Sequence, residues 1–141
     1  AMFTKNALIT VSVTLAVLGA GCVKQEVSFT KEVRPILQKN CLSCHAPGGE
    51  GYAASGFSAE TYESVMKGTK LGSVIVPGSS ISSTLVILIE HKADPSINMP
   101  RPREQQLLGH VNYLKDWKVP MLPAEEIKLI RAWIDQGAKN N

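Results

Sequence analysis

The pentapeptide Cys41-Leu42-Ser43-Cys44-His45 constrains this chain more than any other feature of its sequence. C-x-x-C-H is the spacing by which a c-type haem is attached to a protein. Two thiols at this spacing reach the two vinyl groups on one porphyrin edge, and the adjacent imidazole can give a nitrogen to the iron. Such a chain folds around a large, flat, apolar group. A bare C-x-x-C also occurs in redox dithiols and in halves of zinc sites, so these alternatives stay open.

Length and composition agree with a small haem domain. The chain has 141 residues, enough for one domain and not two. Only 6% of them are aromatic, so the polypeptide alone has few large side chains for a core, and a buried haem would add apolar surface. The formal net charge of +3 comes from 15 basic and 12 acidic residues mixed along the chain. This mild, dispersed charge predicts a solvated surface and no nucleic-acid partner.

The third cysteine, Cys22, follows a pattern typical of exported proteins. Lys5 supplies a basic start, Ala7–Leu18 is an apolar run, and Gly19-Ala20-Gly21 precedes the cysteine. This resembles a bacterial lipoprotein signal, in which that cysteine becomes the lipidated first residue, although the usual aliphatic residue is missing at Gly19. A plain cleaved signal peptide and an uncleaved membrane anchor are the alternatives. All three place the domain on the periplasmic side of a bacterial membrane.

The organisation predicted from this pattern has three parts. Residues 1–22 are a signal peptide or a membrane-anchoring, lipidation segment, with lipid attached at Cys22. Residues 23–28 are a short polar tether. Residues 29–141 form a single haem-carrying domain.

The hydrophobic periodicity predicts a domain made of helices and loops. A helix starts near Phe29 and leads into the Cys41 motif, with Val33, Ile36 and Leu37 on one face. Pro47 to Gly56 is rich in glycine and is predicted as a loop. The remaining predicted elements are a helix capped by Ser58, carrying Tyr62, Val65 and Met66 and ending at Gly68; an extended run Val74–Val76 closed by a turn; a helix Leu85–Ile89 capped within Ser80–Ser83; a loop Asp94–Arg103; a helix Glu104–Trp117; and a last helix from Pro123 to Gly137, with Ile127, Ile130 and Ile134 on one face.

A second axial ligand to the haem iron has several candidates. Met99 lies in a loop beside Pro100, away from any apolar helical stripe, so it has no core position to explain it. Met121 is also flanked by prolines and is the rival candidate. Met66 fits a helical core position better. His91, His110 and an open coordination site complete the alternatives.

The motifs together resemble the small mono-haem planctomycete cytochrome c type. The resemblance is carried by Phe29–Leu37, the Cys41 motif, Met99-Pro100, and the later segments Val76-Pro77-Gly78, Leu122-Pro123 to Glu126 and Ala132–Ala138. It implies an all-α fold of the class I cytochrome c type, with helices and loops wrapped around one covalent haem c. It further implies that Cys41 and Cys44 bind the haem, that His45 is the proximal ligand, and that Met99 is the distal ligand. The chain departs from the family by about twenty extra residues after Met99-Pro100.

The function expected from these observations is one-electron transfer by a membrane-tethered periplasmic protein, rather than catalysis. Its partners would be redox proteins or a membrane electron-transfer complex. The alternative is an electron-entry or structural haem subunit of a larger membrane redox complex. A thiol–disulfide protein and a haem-based sensor or peroxidase are further alternatives: the first requires a βαβ setting, the second an open or labile sixth position.

Overall fold

A computed structural model describes residues 25–101 and 121–141. Within these ranges the chain is helical and forms no strand, so the predicted all-α fold is confirmed. Backbone pairing of the β type is limited there to one bridge between Thr69 and Gly72. The helices are α1 (Arg34–Asn40), α2 (Leu42–His45), α3 (Glu50–Ser55), α4 (Tyr62–Lys67), α5 (Thr84–Ile89) and α6 (Ala124–Asp135), with a π-helical turn at Phe29–Val33 and a 3-10 turn at Ser80–Ser82.

The first predicted helix is confirmed as the π-helical turn running directly into α1. Ser28 caps it, because its side chain accepts from the backbone N–H of Lys31 while its own N–H donates to Glu32 at 2.7 Å. Pro35 lies in the first turn of α1, where a missing N–H costs no helical bond. The predicted face is buried, at Val33, Ile36 and Leu37.

The last helix, α6, packs against this N-terminal turn around a cluster of three aromatic rings. Ring centroids lie 5.2 Å apart for Phe29 and Tyr62, 5.3 Å for Phe29 and Trp133, and 6.4 Å for Tyr62 and Trp133. Each such pair contributes about 0.5–1.5 kcal/mol beyond the area it buries. Several of the chain's few aromatic residues therefore meet at one point of the core. The predicted face of α6 is also confirmed, since Ile127, Ile130 and Ile134 are buried.

The residues after α6 fold back onto the same cluster. The Tyr62 hydroxyl donates to the Ala138 carbonyl, and the Trp133 indole N–H donates to the Lys139 carbonyl, both at 2.8 Å. Asn141 then accepts from the N–H of Phe29 through its side chain at 2.9 Å. The N- and C-terminal parts of the described domain are thus held together by backbone and side-chain hydrogen bonds.

Residues 25–28, which the sequence assigns to a tether, contact the same region. Val27 is buried, and its N–H donates to the Gln136 side chain at 2.7 Å. Glu26 forms an ion pair with Lys139 at 2.7 Å.

Two local predictions between Pro47 and Gly68 were wrong. The glycine-rich stretch is not a loop throughout, because Glu50–Ser55 forms α3, which ends at Gly56. The helix α4 is capped by Thr61 and not by Ser58: Thr61 and Ser64 form a reciprocal capping box, whereas Ser58 is buried. Glycine content indicates a propensity for turns, but it does not show the tertiary packing that can stabilise a short helix.

The segment Val74–Val76 forms no helix, the turn predicted after it is confirmed at Pro77 and Gly78, and this turn is fixed to the end of α6. The Gly78 N–H donates to the Ile134 carbonyl at 2.7 Å, and Asp135 accepts from both the N–H and the hydroxyl of Ser80. Ser83 occupies the N-cap of α5, but its hydroxyl accepts from Val76 instead of from the helix. The segment from Val74 to α5 is therefore part of the core scaffold.

Some predictions fall outside the described residues: Cys22 and the rest of the N-terminal signal, residues 23 and 24, His110, and the helix Glu104–Trp117. Within the described ranges, no helix is long and apolar enough to cross a lipid bilayer.

Removing the Tyr62 hydroxyl tests the link between α4 and the segment after α6. Tyr62→Phe keeps the ring in the aromatic cluster and deletes the donor to Ala138, so we expect a loss of about 1 kcal/mol in the free energy of unfolding. Tyr52→Phe, at an exposed tyrosine, is the matched control and should change stability by less than about 0.5 kcal/mol. Denaturant unfolding followed by circular dichroism measures both. Equal effects at the two positions would show that the bond to Ala138 contributes nothing.

Candidate functional site

The C-x-x-C-H motif lies at the junction of α1 and α2. The Cys41 N–H donates to Leu37 as the last bond of α1, and the Cys41 carbonyl then accepts from His45 at 2.9 Å and from Cys44 at 3.2 Å. One helical turn, α2, thereby carries the motif. Residues three apart on a helix lie on one side of it, so the two cysteines can face the same edge of a planar group. Cys41 carries a free thiol, so the two cysteines are not joined by a disulfide.

The imidazole of His45 is held by the segment that follows α3. Its Nδ1 lies 3.2 Å from the Phe57 carbonyl oxygen. Because a carbonyl only accepts, Nδ1 carries the proton and Nε2 carries the lone pair of the neutral ring. The Phe57 ring packs edge-on against the imidazole, with 5.3 Å between centroids, and the Ala59 N–H donates to the His45 carbonyl at 2.9 Å. His45 is therefore fixed in ring orientation and in tautomer.

Electrostatics favour the neutral, ligating form of this histidine. Burial lowers the pKa of His45 below its ordinary value, the hydrogen bond to Phe57 acts in the opposite direction, and the charge of Arg101 lowers the pKa further. A metal-ligating imidazole must be unprotonated at the ligating nitrogen. Arg101, whose charge acts on His45, lies two residues after Met99.

Two glycines let the start of α3 approach the motif closely. A Cβ on Gly49 would come within 2.3 Å of the Cys44 carbonyl oxygen, and a Cβ on Gly51 within 2.9 Å of the His45 Nε2. A Cβ on Gly49 would therefore force the backbone to shift, and a Cβ on Gly51 would force the imidazole of His45 to move. Close packing of this stretch against the motif therefore explains the glycines at these two positions.

The surroundings of the cysteines weaken the two alternative functions of a C-x-x-C pair. Burial raises the pKa of the Cys41 thiol to about 12, with further contributions from Cys44 and Glu126, whereas a redox dithiol needs an accessible thiol of lowered pKa. The βαβ setting of such proteins is absent from residues 25–101 and 121–141. Within those ranges, no three His, Cys, Asp or Glu side chains are grouped so that they could hold a metal ion.

The motif is tied to α6 through the residue that precedes it. The Asn40 side-chain amide donates to the Glu126 carboxylate at 2.9 Å and to the Ile36 carbonyl, and Lys39 donates to the same carboxylate at 2.9 Å. Glu126 lies in the first turn of α6, where a negative charge is favoured. The end of α1 is thus fixed relative to the core immediately before Cys41.

Met99 lies in a loop whose backbone is fixed to α5. Its N–H donates to the Leu88 carbonyl at 3.1 Å, and its own carbonyl lies 3.1 Å from the Nε2 of His91. The side chain of the preceding residue, Asn98, is buried and bonds to both the N–H and the carbonyl of Ala93. Met99 itself is half-buried.

The other candidates for a second ligand lie in different settings. Met121 is 50% exposed, beside the buried Leu122. Met66 packs against the hydrophobic core, as predicted. His91 lies at the end of α5, also as predicted, but its Nε2 is engaged with Met99. His110 is outside the described residues.

The donor set present fits a covalently attached haem. Two cysteines lie one helical turn apart, and the imidazole that follows them donates from Nδ1 to Phe57 and has its pKa lowered by burial, so that Nε2 carries the lone pair. Thiols form thioethers with vinyl groups, and an imidazole nitrogen is a standard axial ligand. Cys41, Cys44 and His45 would hold the group, with Met99 in a fixed loop as the candidate on its other side.

Sequence reasoning did not find the residues that support the motif. Phe57 and Ala59 act through backbone groups, which leave no signal in the sequence. Nothing local in the sequence indicates the bond between Glu126 and Asn40. Gly49 and Gly51, which follow the motif within a few residues, are the one sequence signal that the chain packs closely against it.

A comparison with protein families gives one match. The family described as Planctomycete cytochrome C matches residues 41–103, from the first cysteine of the motif to beyond Met99. This segment is slightly less than half of the chain. No curated protein and no solved structure matched. The match confirms the resemblance predicted from the motifs, and it supports a haem-based role in electron transfer.

Gly51→Ala tests the contact between α3 and His45. Alanine favours a helix by about 1 kcal/mol over glycine, so a free-standing α3 would be stabilised. Here the added Cβ meets the imidazole, so we expect no gain in stability and a shifted visible spectrum of the haem-loaded protein. Glu50→Ala, on the same helix and exposed, is the control and should leave the spectrum unchanged. A stabilised Gly51→Ala protein with an unchanged spectrum would contradict the contact.

Proposed function

We propose that this chain, a planctomycete-type cytochrome c by its match over residues 41–103, transfers single electrons through one covalently bound haem with His45 and Met99 as axial ligands. The observation that carries the proposal is the hydrogen bond from the His45 Nδ1 to the Phe57 carbonyl, which orients this imidazole directly after two cysteines. The bound haem supplies the redox chemistry, as its iron alternates between the ferric and ferrous states.

The protein's own contribution is attachment and orientation. Cys41 and Cys44 anchor the group covalently, so it is not lost in either redox state. The Phe57 carbonyl holds the His45 proton on Nδ1 and so directs Nε2 to the iron. Glycines at the start of α3 allow the chain to close against this ligand.

Met99 is proposed as the distal ligand because its backbone is fixed and because the charge of Arg101, two residues later, acts on His45. The N–H and the carbonyl of Met99 both bond to the last turn of α5, and Arg101 influences the pKa of His45. Met121 has no comparable support, since half of its surface is exposed. Two protein ligands would fill both axial positions, which favours electron transfer over catalysis at the iron.

We place the protein on the periplasmic side of a bacterial membrane, held there by lipid on Cys22 or by its N-terminal segment. The support is the basic start, apolar run and small residues that precede this cysteine. Its partners in this proposal are redox proteins, or a membrane electron-transfer complex, at the same surface.

Replacing the two proline-flanked methionines tests the ligand assignment. Met99→Ala should abolish the weak sulfur-to-iron charge-transfer band in the far red and lower the reduction potential by on the order of 0.1 V, within the ~0.8 V range that axial ligands span. Met121→Ala is the matched control and should change neither quantity. In both variants one haem should stay bound through acid–acetone extraction, as measured by mass spectrometry. The opposite pattern of band loss would assign the ligand to Met121.

Cys22→Ser tests the membrane attachment in the native host. Wild-type protein should begin at Cys22 and carry acyl chains by intact-mass measurement, and the Ser variant should leave the membrane fraction. The haem spectrum of the released protein should be unchanged, because Cys22 has no role at the haem in this proposal. A Ser variant that stays in the membrane with residues 2–21 uncleaved would show that a helical anchor, and not a lipid, holds the protein there.

A further inference from the structure

The C-terminal end of α5 has a histidine where helices usually have glycine. The Lys92 N–H donates to the Ile87 carbonyl at 2.9 Å, and the His91 N–H donates to the Leu88 carbonyl at 3.2 Å. These two bonds form a Schellman motif, whose residue at the position of His91 adopts a left-handed conformation. The φ of His91 is +53°, which is strained for a residue with a side chain. Glycine would close the same helix end without that strain.

The side chain of His91 makes a hydrogen bond that glycine could not make. Its Nε2 lies 3.1 Å from the Met99 carbonyl oxygen. Because this oxygen only accepts, Nε2 must carry a proton and donate it. The Met99 N–H in turn donates to the Leu88 carbonyl at 3.1 Å. Both backbone polar groups of Met99 are therefore held by the last turn of α5.

That last turn is itself fixed in the fold. Ile89 is buried in the core, and the neighbouring carboxylate of Glu90 binds Arg131 of α6 at 2.8 Å and Lys92 at 2.6 Å. Two partners on Glu90 restrict the backbone on either side of His91. The bond from His91 to Met99 thus restrains the backbone of the methionine relative to the core.

We propose that His91 is a positioning residue for Met99, holding its thioether on the iron through the hydrogen bond to the Met99 carbonyl. The inference rests on the proposed ligation by Met99. The left-handed backbone of His91 persists because it aims the imidazole at that carbonyl. Without this bond, Met99 leaves the iron more often and an external ligand takes its place more readily.

The test compares haem-loaded wild-type protein with His91→Gly and His91→Gln. His91→Gly relieves the backbone strain and removes the hydrogen bond, so the far-red band should weaken. The apparent affinity of the ferric protein for cyanide should rise about three- to tenfold, the equivalent of one hydrogen bond. The thermal midpoint, followed by circular dichroism, should hold or rise. In His91→Gln the side-chain amide nitrogen reaches equally far, so cyanide affinity should return towards the wild-type value.

Ala138→Gly is the backbone control. Ala138 has a φ of +50° after α6, so this change relieves the same kind of strain at another helix end. It should leave cyanide affinity unchanged.

The outcomes separate this inference from the proposed function. If Met99→Ala loses the band while His91→Gly keeps the wild-type band and cyanide affinity, the ligation stands and the role of His91 is overturned. If His91→Gly and Ala138→Gly raise cyanide affinity equally, the effect comes from backbone strain, which also overturns it. If Met99→Ala keeps the band, both the ligation and the role of His91 are wrong.

Discussion

The packing of α6 against the N-terminal turn is the interaction on which the rest of the structure depends. Phe29, Tyr62 and Trp133 meet there, and the residues after α6 bond back to the first turn through Asn141. The same helix fixes the approach to the Cys41 motif through Glu126 and the end of α5 through Arg131. One helix thus sets the position of the segments that carry both proposed ligands.

Backbone carbonyls do most of the orienting at this site. The Phe57 carbonyl fixes the tautomer of His45, and the Leu88 carbonyl accepts from Met99. At the carbonyl of Met99 the roles are exchanged, because there the side chain of His91 donates to a backbone oxygen. A small domain with few aromatic residues can build a rigid site in this way, because hydrogen bonds to the main chain need no additional large side chains.

The motif and the helices were predictable because their signals are local. C-x-x-C-H is a fixed spacing, and the faces of α1 and α6 follow helical periodicity from Val33 to Leu37 and from Ile127 to Ile134. The helix α3 was missed because it is short and rich in glycine, and Thr61 was missed as a cap because Ser58 is an equally good cap by residue type. The support for His45 and Met99 comes from residues 8 or more positions away or from backbone atoms, which carry no sequence pattern.

The extra residues after Met99 are compatible with the proposed ligation because the hold on Met99 is local. Among the residues that the structure describes, the bonds that fix its backbone lie between Ile87 and Met99, and that turn contacts the core through Ile89 and Arg131. The insertion that the sequence predicts at residues 103–120 therefore begins after the residues whose bonds position the methionine. The buried Leu122 lies just before α6, the helix that bonds to both ligand segments through Glu126 and Arg131.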